Sequence, residues 1–562
     1  MRIWSAISTV IFLAFLIRNT TAAEPTVLFE EIPSAQSGIS WIHQNGKSKQ
    51  RYLPEMTGSG LAIFDFNHDG WMDILFVNSG FSRFYRPSGP LHPALYQNNH
   101  DGTYTDITQS AGLSAEFFGM GVAIGDYDND GFEDIFITGI DGCVLYHNNG
   151  NRTFSDATQA SGIASTQWST SAVWFDVDND GRLDLFVAEF ADYSDNKVCS
   201  LAGSYAGNAP SLPTAQSYYC HPKFLKTASS HLYRNLGNGK FADVTQAMGL
   251  SQPGKAWGAV ATDVNNDGYM DLFVSNDTVP DFLWLNQQGQ KFTDIGLQSG
   301  VAYSNDGVPR SGMGVDAADF DRDGRQDLMV GNIDAETTSL YRNLGNELFD
   351  DMNRKTGVAP ATLLLSTWGL QFLDYDNDGW LDMVLCNGYP DDTADDRNNG
   401  ITYRQPILLL RNSGGKKMEN VSAAAGPAFQ KRYTARGLAV GDLNNDGYPD
   451  VVFTENGGAP HVLMNSSGGN NWLGLKLEAK IANPAAAGAV IRWHAGGETF
   501  SMSKTAGGSF LSSHDPRVIL GTGKDHIDWI EVQWPQPSKR VDHIDNPGMN
   551  QYITVKEGQN SR

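Results

Sequence analysis

The sequence is poor in positive charge, and this shortage limits its partners. Lys and Arg number 40 against 64 Asp and Glu, which gives a formal net charge of −24 over 562 residues. Nucleic acid is excluded as the natural partner, because its phosphates require a basic surface. The apolar fraction and proline content are ordinary and glycine is abundant at 60 residues, which is typical of turn-rich β structure.

Long apolar runs are missing beyond the N-terminal segment. Residues 1–23 combine basic Arg2, an apolar run over residues 3–17 and the small residues Thr21, Ala22 and Ala23. The run is too short for a comfortable membrane span and is typical of a signal peptide, without a cysteine at the cleavage site. We therefore expect an exported protein, periplasmic or extracellular, with no membrane span after signal cleavage.

Cysteine is also scarce. Cys199 and Cys220 share one long irregular stretch, and an exported location permits them to form a disulfide. Cys143 and Cys386 stand far apart inside apolar, strand-like runs, so we expect both to be buried thiols outside any disulfide.

Recognisable catalytic motifs are absent. The sequence has no nucleophile elbow, no zinc-ligand spacing and no phosphate-binding loop. An enzymatic activity is therefore uncertain, and the motifs lean against one.

What the sequence does contain is seven copies of an acidic motif, D-x-[DN]-x-D-G-x-x-D, such as "DYDNDGFED" at Asp126. Positions one, three, five and nine of the seven copies hold 25 aspartates. Losing Arg2 and Arg18 with the signal peptide would take the net charge from −24 to −26, and seven dications would bring −26 to −12. The negative charge of the chain therefore lies largely in the seven predicted ion sites.

Hard cations such as Ca²⁺ take six to eight oxygen ligands, which a tight loop supplies at alternate positions. We predict side-chain oxygens from positions one, three, five and nine, a backbone carbonyl from position seven and a glycine turn at position six, with about seven Ca²⁺ per chain. The predicted ligand residues are Asp65, Asn67, Asp69, Trp71, Asp73, Asp126, Asp128, Asp130, Phe132, Asp134, Asp176, Asp178, Asp180, Arg182, Asp184, Asp263, Asn265, Asp267, Tyr269, Asp271, Asp319, Asp321, Asp323, Arg325, Asp327, Asp374, Asp376, Asp378, Trp380, Asp382, Asp442, Asn444, Asp446, Tyr448 and Asp450.

The motif is not an EF-hand. An EF-hand requires glutamate at position twelve and flanking helices, whereas an apolar residue occupies position twelve in all seven copies. The flanks "GVAIGD" and "DIFITG" are rich in β-branched and aromatic residues, so each loop is expected to close a β-hairpin.

Each acidic hairpin is followed by a second signature, such as "LYHNNGNRTFSDAT" from Leu145, that indicates strand, turn, strand. One unit therefore has four strands, A to D, as in propeller blades. The N-terminal "TVLFEEIPSAQSGI" matches strand D, and the seventh unit lacks one. The sequence predicts an all-β, seven-bladed β-propeller over residues 24–467 that its N-terminal strand closes, because closure hides the exposed sheet edges.

From about Gly468 the acidic repeat stops, and alternating apolar and polar runs such as "WLGLKLEA" and "DWIEVQW" follow. This alternation predicts a small β-sandwich-like domain over residues 468–562.

The connections opposite the acidic loops are irregular, and variable loops on a rigid scaffold often carry function. The long insertion from Phe190 to Ser230 lies there. Six residues before each first motif aspartate a ring of side chains would line the axis, either as a binding funnel or as a plug, and both alternatives stay open: Ser59, Met120, Thr170, Trp257, Met313, Trp368 and Arg436. The candidate residues of a ligand face are His43, Glu55, Trp257, Arg310, Trp368 and Arg436.

These motifs carry a family resemblance. The seven loops resemble the FG-GAP (VCBS) repeats of integrin α-subunit propellers, and "GAVIRWHAGGETF" through "ILGTGKDHIDWIEVQWPQP" resembles the ASPIC/UnbV domain. Nearly the whole chain is similar to the cartilage acidic protein family and its bacterial relatives. The resemblance implies an extracellular Ca²⁺-binding propeller with an added β domain, and it implies no secure reaction.

Three functions compete at this stage. The first is a secreted or periplasmic adhesion or recognition module for an extracellular or envelope protein or a glycan. The second is an exported enzyme of polysaccharide lyase or tailoring hydrolase type, with His43, Glu55, Arg310 and Arg436 as candidates on the face opposite the calcium loops. The third is an architectural component of an envelope complex.

Overall fold

A computed structural model describes residues 28–164, 167–200, 217–397 and 400–560. The expected signal peptide, residues 1–23, and the middle of the Phe190–Ser230 insertion lie outside the described residues. The described part is all-β with short helices, which confirms the predicted fold class of a β-propeller with a second β unit. None of its helices has both the length and the apolar character needed to cross a bilayer.

The strands of the repeat region are short. In chain order they are β1 (Phe29–Glu31), β2 (Leu61–Phe64), β3 (Asp73–Phe76), β4 (Ala94–Asn98), β5 (Tyr104–Asp106), β6 (Phe118–Gly125), β7 (Asp134–Ile140), β8 (Val144–Asn148), β9 (Phe154–Asp156), β10 (Trp168–Phe175), β11 (Asp184–Ala191), β12 (Cys199–Ser200), β13 (Ser217–Tyr218), β14 (His231–Asn235), β15 (Phe241–Asp243), β16 (Ala256–Thr262), β17 (Asp271–Asn276), β18 (Phe282–Asn286), β19 (Phe292–Asp294), β20 (Val315–Ala318), β21 (Asp327–Val330), β22 (Ser339–Gly345), β23 (Leu348–Asp351), β24 (Thr367–Leu373), β25 (Asp382–Asn387), β26 (Leu408–Asn412), β27 (Met418–Asn420), β28 (Ala435–Gly441), β29 (Asp450–Glu455) and β30 (His461–Asn465).

Apart from the small β12–β13 hairpin of the insertion, these strands form seven antiparallel groups of four among the described residues, and one pair, Trp168 with Ile140, joins the second group to the third. Blades 1 to 6 follow the chain from β2 to β27, and blade 7 has the order β28, β29, β30, β1. Strand β1 pairs with β30 in the register Phe29 to Asn465 and Glu31 to Leu463, as the sequence predicts. The innermost strands contact their neighbours in cyclic order, and β28 returns to β2, so the ring is closed.

The helices are single turns. They are α1 (Ser34–Ser37), α2 (Thr108–Ala111), α3 (Thr158–Ser161), α4 (Gly296–Ser299), α5 (Asn353–Thr356) and α6 (Val358–Thr362), with 3₁₀ turns at Leu53–Met56, Pro222–Phe224, Ala394–Arg397 and Pro427–Gln430. Helices α1 to α5 each follow the outermost strand of a blade and end at a glycine in the left-handed region.

Hydrophobic clusters fill the wedges between adjacent blades. Between blades 1 and 2, for example, Phe64 and Leu75 pack with Ile135 and Tyr146. Similar clusters join the other neighbouring pairs, including blades 7 and 1. Burial of this apolar surface is the main attraction that holds the blades together.

A repeated asparagine also ties each blade to the one before it. In blade 2, Asn148 Nδ2 donates to the carbonyl of Phe66 in blade 1 at 2.9 Å and to the carbonyl of Glu133 in its own blade at 3.2 Å. The bond from Asn98 to Leu443, 2.9 Å, joins blade 1 to blade 7. The other members of the set, with their acceptors one blade back, are Asn235 to Tyr127, Asn286 to Val177, Asn343 to Val264, Asn412 to Phe320 and Asn465 to Tyr375.

The second β unit has eight strands among the described residues: β31 (Trp472–Glu478), β32 (Val490–Ala495), β33 (Glu498–Ser503), β34 (Ala506–Gly507), β35 (Val518–Gly521), β36 (Ile527–Gln533), β37 (Val541–Asp545) and β38 (Tyr552–Lys556). Sheets β35–β31–β38 and β33–β32–β36–β37 share a core that includes Leu475, Ile491 and Trp534. The unit contacts the acidic-loop face of the propeller, where Gly447 lies against Trp472 and Gly181 against Ile481.

The segment between β33 and β35 enters the propeller axis, which the sequence did not predict. This axial strap, residues 506–513, forms hydrogen bonds with the innermost strand of every blade. Its partners are Leu61 and Ile63 in blade 1, Val122 in blade 2, Ser171 in blade 3, Ala259 in blade 4, Val315 in blade 5, Leu370 in blade 6 and Leu438 in blade 7.

Glycine is required where the innermost strands crowd against the axial strap and against one another. A Cβ added to Gly60 would lie 1.6 Å from the carbonyl oxygen of Leu511, and one added to Gly314 would lie 2.1 Å from that of Trp368. Neither separation is possible, so the glycines that the sequence places beside the axis make room for backbone.

The cysteines divide as two and two. Cys199 and Cys220 form a disulfide with a Cα–Cα distance of 5.2 Å, as expected. Cys386 is buried, also as expected. Cys143 is only partly buried, so the expectation of burial is wrong for it, because β8 starts directly after a surface turn.

An acid–base cluster fastens the closing strand β1. His461 Nδ1 lies 2.6 Å from Glu31 Oε1, and its Nε2 lies 3.0 Å from Glu455 Oε1. Burial lowers the pKa of His461, but hydrogen bonds and charge from both glutamates outweigh it and raise the pKa above 6.5. The bond to His461, with help from Lys431 and against burial, lowers the pKa of Glu31 to about 2. Arg404 also faces Glu455 at 4.0 Å.

We predict that His461→Gln destabilises the protein more at pH 6 than at pH 9. A raised histidine pKa gives stability that is complete below about pH 6.5 and lost as pH rises through the folded-state pKa. The lowered Glu31 pKa gives stability present above about pH 4.5 and lost toward pH 2. Charged hydrogen bonds contribute about 1.5–3 kcal/mol each. Urea unfolding at both pH values measures the effect, with His92→Gln as control, and a pH-independent difference would contradict it.

Candidate metal centres

The seven acidic loops share one backbone geometry. In blade 2, Asp126 at position one accepts the N–H of Asp130 at 3.1 Å and of Gly131 at 2.9 Å. The same two bonds form at the first aspartate of the other six loops, Asp65, Asp176, Asp263, Asp319, Asp374 and Asp442. The glycine has a positive φ in each loop, 94° at Gly131, which only glycine adopts at little cost.

Position nine fixes the loop to its blade. Asp134 Oδ1 accepts the N–H of Asn148 at 2.8 Å, and its Oδ2 accepts the N–H of Tyr127 at 3.1 Å. The ninth aspartates of the other loops repeat this pair of bonds. Backbone N–H groups of the loop and of the third strand therefore fix the position of the ninth-residue carboxylate relative to the loop.

Neighbouring loops are also hydrogen-bonded to one another. Position four has a positive φ in every loop, and in five loops an asparagine there donates to the position-six carbonyl of the next blade. Asn129 reaches the carbonyl of Gly181 at 3.1 Å, and Asn445 of blade 7 reaches that of Gly70 in blade 1 at 3.0 Å. These hydrogen bonds link the loops of blades 2 to 5 in one series and those of blades 6, 7 and 1 in another.

Burial and mutual repulsion raise the pKa of the loop carboxylates. Burial is the main cause that raises the pKa of Asp126, to about 6. Backbone hydrogen bonds oppose this shift, and the charges of neighbouring aspartates add to it. The pKa of Asp176 is raised to about 7, that of Asp73 to about 8 and that of Asp134 to about 9, in each case mainly by burial. Such carboxylates are costly as anions unless a cation lies among them.

The donor set fits a hard divalent cation. Ligand atoms of Asp176, Asp178 and Asp184 lie within 4.8 Å of one another, and the same three positions come together in blades 5 and 6. In blade 2 the groups within that distance are Asp126, Asp128 and Asp130, and Asp128, Asp134 and His147. In blades 1, 4 and 7 the side-chain oxygen of an asparagine replaces the carboxylate at position three. Three of the position-three aspartates, Asp178, Asp321 and Asp376, each have a buried Oδ1 with no hydrogen-bond partner. Oxygen donors without soft ligands suit Ca²⁺, Mg²⁺ or Mn²⁺.

The axial ring packs instead of lining a funnel. Trp257 and Trp368 are 1% and 2% exposed, and Phe510 of the axial strap lies 5.6 Å and 5.0 Å from their ring centres. Residues 53–56, 190–193 and 219–225 belong to the same buried cluster and cover the other end of the axis. These two tryptophans therefore offer a ligand no surface.

His43, Glu55 and Arg436 are also buried, so the expectation that they face a ligand is wrong. His43 is hydrogen-bonded to Ser79 and to the N–H of Gly457, and burial lowers its pKa to about 3. Glu55 accepts the N–H of Ser48 at 3.0 Å, and burial raises its pKa.

Arg436 donates to the carbonyl of Met56 at 2.8 Å and stacks 4.2 Å over the ring of Trp368, and burial lowers its pKa to about 10. The burial has a physical reason: the insertion and the 3₁₀ turn at Leu53–Met56 fold over the axis.

Arg310 alone among the candidate ligand-face residues lines a cavity, of about 360 Å³, on the face opposite the acidic loops. The cavity lies between connections of blades 4, 5 and 6, and Val308 and Leu363 at its rim are 58% and 48% exposed. Arg310 is paired with Asp351 at 3.0 Å, and Glu336 accepts the N–H of Ser311 at 2.6 Å. Exposed apolar side chains thus surround a charged floor. The sequence did not single out Val308 or Leu363, because exposed apolar residues in loops carry no pattern.

Family models match most of the chain. The FG-GAP-like repeat model matches residues 65–137, 126–187, 225–274, 263–330 and 319–385, and the ASPIC and UnbV model matches residues 479–562.

Curated relatives include Cartilage acidic protein 1 of Xenopus tropicalis, 26% identical over 54% of this chain and 45% of that protein. The Homo sapiens protein of the same name is 23% identical over 56% of this chain and 46% of its own length. The chain spans about half the length of the curated relatives it matches.

Solved structures with a similar arrangement have low TM-scores. YCF48 bound to a D1 peptide has a TM-score of 0.40 at 8% identity and covers 78% of this chain and 95% of its own. An Agrocybe aegerita lectin that recognises non-reducing terminal N-acetylglucosamine has a TM-score of 0.37 at 15% identity and covers 73% and 95%.

Proposed function

We propose, because the chain belongs to the FG-GAP-like repeat family and carries an ASPIC and UnbV domain, that it is an exported, Ca²⁺-binding recognition module. Calcium would bind in the seven acidic loops and hold the loop face rigid under the second β unit, residues 468–562. The ligand would bind on the opposite face. The disulfide in the insertion supports an oxidising, non-cytoplasmic location.

One observation carries the recognition role, which is the cavity of about 360 Å³ with exposed Val308 and Leu363 at its rim. Its volume lies within the usual range for ligand pockets. The exposed apolar residues at the rim and the charged residues Arg310 and Glu336 inside the cavity suit contact with a segment of another exported protein. A glycan is the weaker candidate, because Trp257 and Trp368 are buried and cannot stack on a sugar ring.

The roles of calcium follow from charge. The carboxylates of each loop converge where burial penalises their ionised form, and a divalent cation removes that penalty. The residues that would hold it are those at positions one, three, five, seven and nine. Because five of the seven loops are bonded to the next through positions four and six, ordering one of these loops would order its neighbour.

We predict that Val308→Asp and Leu363→Asp weaken ligand binding by at least tenfold without lowering stability. Each aspartate would place a charge on a rim that we expect an apolar segment to cover. Loss of an anchor residue commonly costs about 2 kcal/mol or more of binding energy. The measurement is the affinity for exported proteins and glycans identified by a screen with and without Ca²⁺.

Leu344→Asp is the matched control, since Leu344 is 49% exposed in blade 5 but lies near the end of β22, on the acidic-loop side. If all three variants bind alike, the cavity is not the recognition site. If the wild-type protein with saturating Ca²⁺ binds nothing in the screen, the recognition role itself is contradicted.

A further inference from the structure

The residue before the repeated asparagine of each third strand follows the identity of position three in the acidic loop. We call these seven residues the compensating position. Where position three is aspartate, the compensating position is arginine in three blades and histidine in blade 2, and where position three is asparagine, it is uncharged. The pairs are Asn67 with Gln97, Asp128 with His147, Asp178 with Arg234, Asn265 with Leu285, Asp321 with Arg342, Asp376 with Arg411 and Asn444 with Met464.

Each basic residue contacts the position-three carboxylate of its own loop. Arg234 lies 3.0 Å from Asp178 Oδ2, and Arg342 lies 2.5 Å from Asp321 Oδ2. Arg411 lies 3.2 Å from Asp376 Oδ2. In blade 2, His147 Nδ1 lies 3.4 Å from Asp128 Oδ2 and 3.2 Å from Asp134 Oδ1, so its contact is shared between positions three and nine.

The three arginines leave the second oxygen of each aspartate without a partner. Oδ1 of Asp178, Asp321 and Asp376 is buried and makes no hydrogen bond, and the side chain of Asp321 is only 8% exposed. A buried carboxylate oxygen without a donor is costly unless a cation meets it. The arginine thus holds one oxygen from outside, and the other is left for an ion.

In the asparagine loops a neutral amide donates a hydrogen bond to the position-five aspartate. Nδ2 of Asn67 donates to Asp69 Oδ2 at 3.0 Å, and Asn444 donates to Asp446 Oδ2 at 2.9 Å. In blade 6 the corresponding oxygen of Asp378 receives its bond from Arg411 at 2.9 Å. A neutral amide inside the loop and an arginine outside it therefore do the same task for position five.

We propose that the compensating position is a positioning residue that sets the charge each loop presents to a divalent cation. The blade 6 loop, with four carboxylates and Arg411, carries a net charge of −3, the same as the loops with three carboxylates and an asparagine. The inference rests on the proposed cation binding and deepens it. Its ligand class is a hard divalent cation, which binds to the blade 6 loop and to the asparagine loops with comparable affinity.

The rival explanation is that the arginine replaces the metal. An arginine that filled the site would satisfy the inner carboxylate oxygens, whereas the inner Oδ1 atoms remain unpartnered here. Blades 3 and 5 also carry Arg182 and Arg325 at position seven, each against the position-five aspartate. Blade 6 has Trp380 at position seven and so isolates the effect of Arg411 alone.

Blade 6 and blade 1 offer optical probes, because a tryptophan occupies position seven in both, Trp380 and Trp71. Tb³⁺ bound in either loop is excited through the adjacent indole, and Ca²⁺ competition then reports affinity. Trp472 lies against Gly447 of loop 7, so a Trp71→Phe, Trp472→Phe background with excitation selective for tryptophan isolates loop 6. The variants are Arg411→Gln, Asp376→Asn and the double substitution.

We expect Arg411→Gln to tighten Ca²⁺ competition about tenfold and Asp376→Asn to weaken it about tenfold, because each changes the loop charge by one unit near a dication. The double variant should return to within about threefold of wild type, since it recreates the asparagine loops. In the opposite background, Trp380→Phe, Gln97→Arg should weaken loop 1. Melting without metal is a second readout, in which Arg411→Gln should melt earlier and Asp376→Asn later.

The outcomes separate the two proposals. No Tb³⁺ emission that Ca²⁺ displaces in the wild-type protein would contradict cation binding itself. Emission that appears only after Arg411→Gln would show that the arginine replaces the metal. A double variant as weak as Asp376→Asn alone would leave the cation sites intact and overturn charge compensation.

Discussion

Phe510→Ala is expected to lower the free energy of unfolding by about 3–5 kcal/mol, as large truncations of buried aromatic residues do. Phe510 is fully buried on the propeller axis between Trp257 and Trp368. Its loss would leave a cavity that the innermost strands cannot close, because the axial strap bonds them in place. Trp257→Ala and Trp368→Ala should behave in the same way.

Urea unfolding followed by tryptophan fluorescence and circular dichroism measures this effect. Phe81→Ala is the control, since Phe81 is 41% exposed on the irregular face and should change stability by less than about 1 kcal/mol. Equal losses for Phe510→Ala and Phe81→Ala would show that the axial strap does not support the ring.

Removal of divalent cations is expected to lower the melting temperature by many degrees. Opposed carboxylates a few ångströms apart repel by about 1–4 kcal/mol per pair at effective dielectric constants of 80 to 20. All seven loops would suffer this repulsion together, and the second β unit rests on the same face. Part of the penalty would be relieved by protonation of aspartates with raised pKa values, such as Asp134 at about 9.

Calorimetry with and without excess EDTA, after the metal content has been measured, tests this expectation. Added Ca²⁺ should restore the melt fully. Asp376→Asn with Arg411→Gln serves as a control that keeps the loop charge and should respond as wild type does. A melt that stays the same after verified metal removal would rule out the ion-site interpretation.

Local spacing determined what could be predicted from the sequence. The D-x-[DN]-x-D-G-x-x-D loops predict hairpins because glycine, aspartate and asparagine encode the turn within nine residues. The closing strand was predictable because Phe29–Glu31 copies the pattern of the fourth strands. The disulfide followed from two cysteines in one insertion.

Long-range backbone pairing could not be predicted. The axial strap "AGGSFLSS" has no unusual composition, and its partners are backbone and hydroxyl groups of seven distant strands. Asn148 and its counterparts are visible as a repeated letter, but the carbonyl that each one binds belongs to another blade. His43 and Glu55 looked accessible because nothing in the sequence shows that residues 44–57 fold over the axis.

The position of the axial strap has a consequence for the order of folding. Glu31 and His461, which meet at the ring closure, are 430 residues apart, and residues 506–513 follow later still. Contacts between residues so far apart in the sequence form slowly, because the entropy of closing the loop is lost before the contacts can stabilise the chain. A nascent chain that has made six blades therefore has an open sheet edge and an empty centre. The edge is covered once β30, His461–Asn465, has been synthesised, and the centre fills only after residue 513. Folding of this protein should thus be post-translational, with the aggregation risk concentrated in that interval.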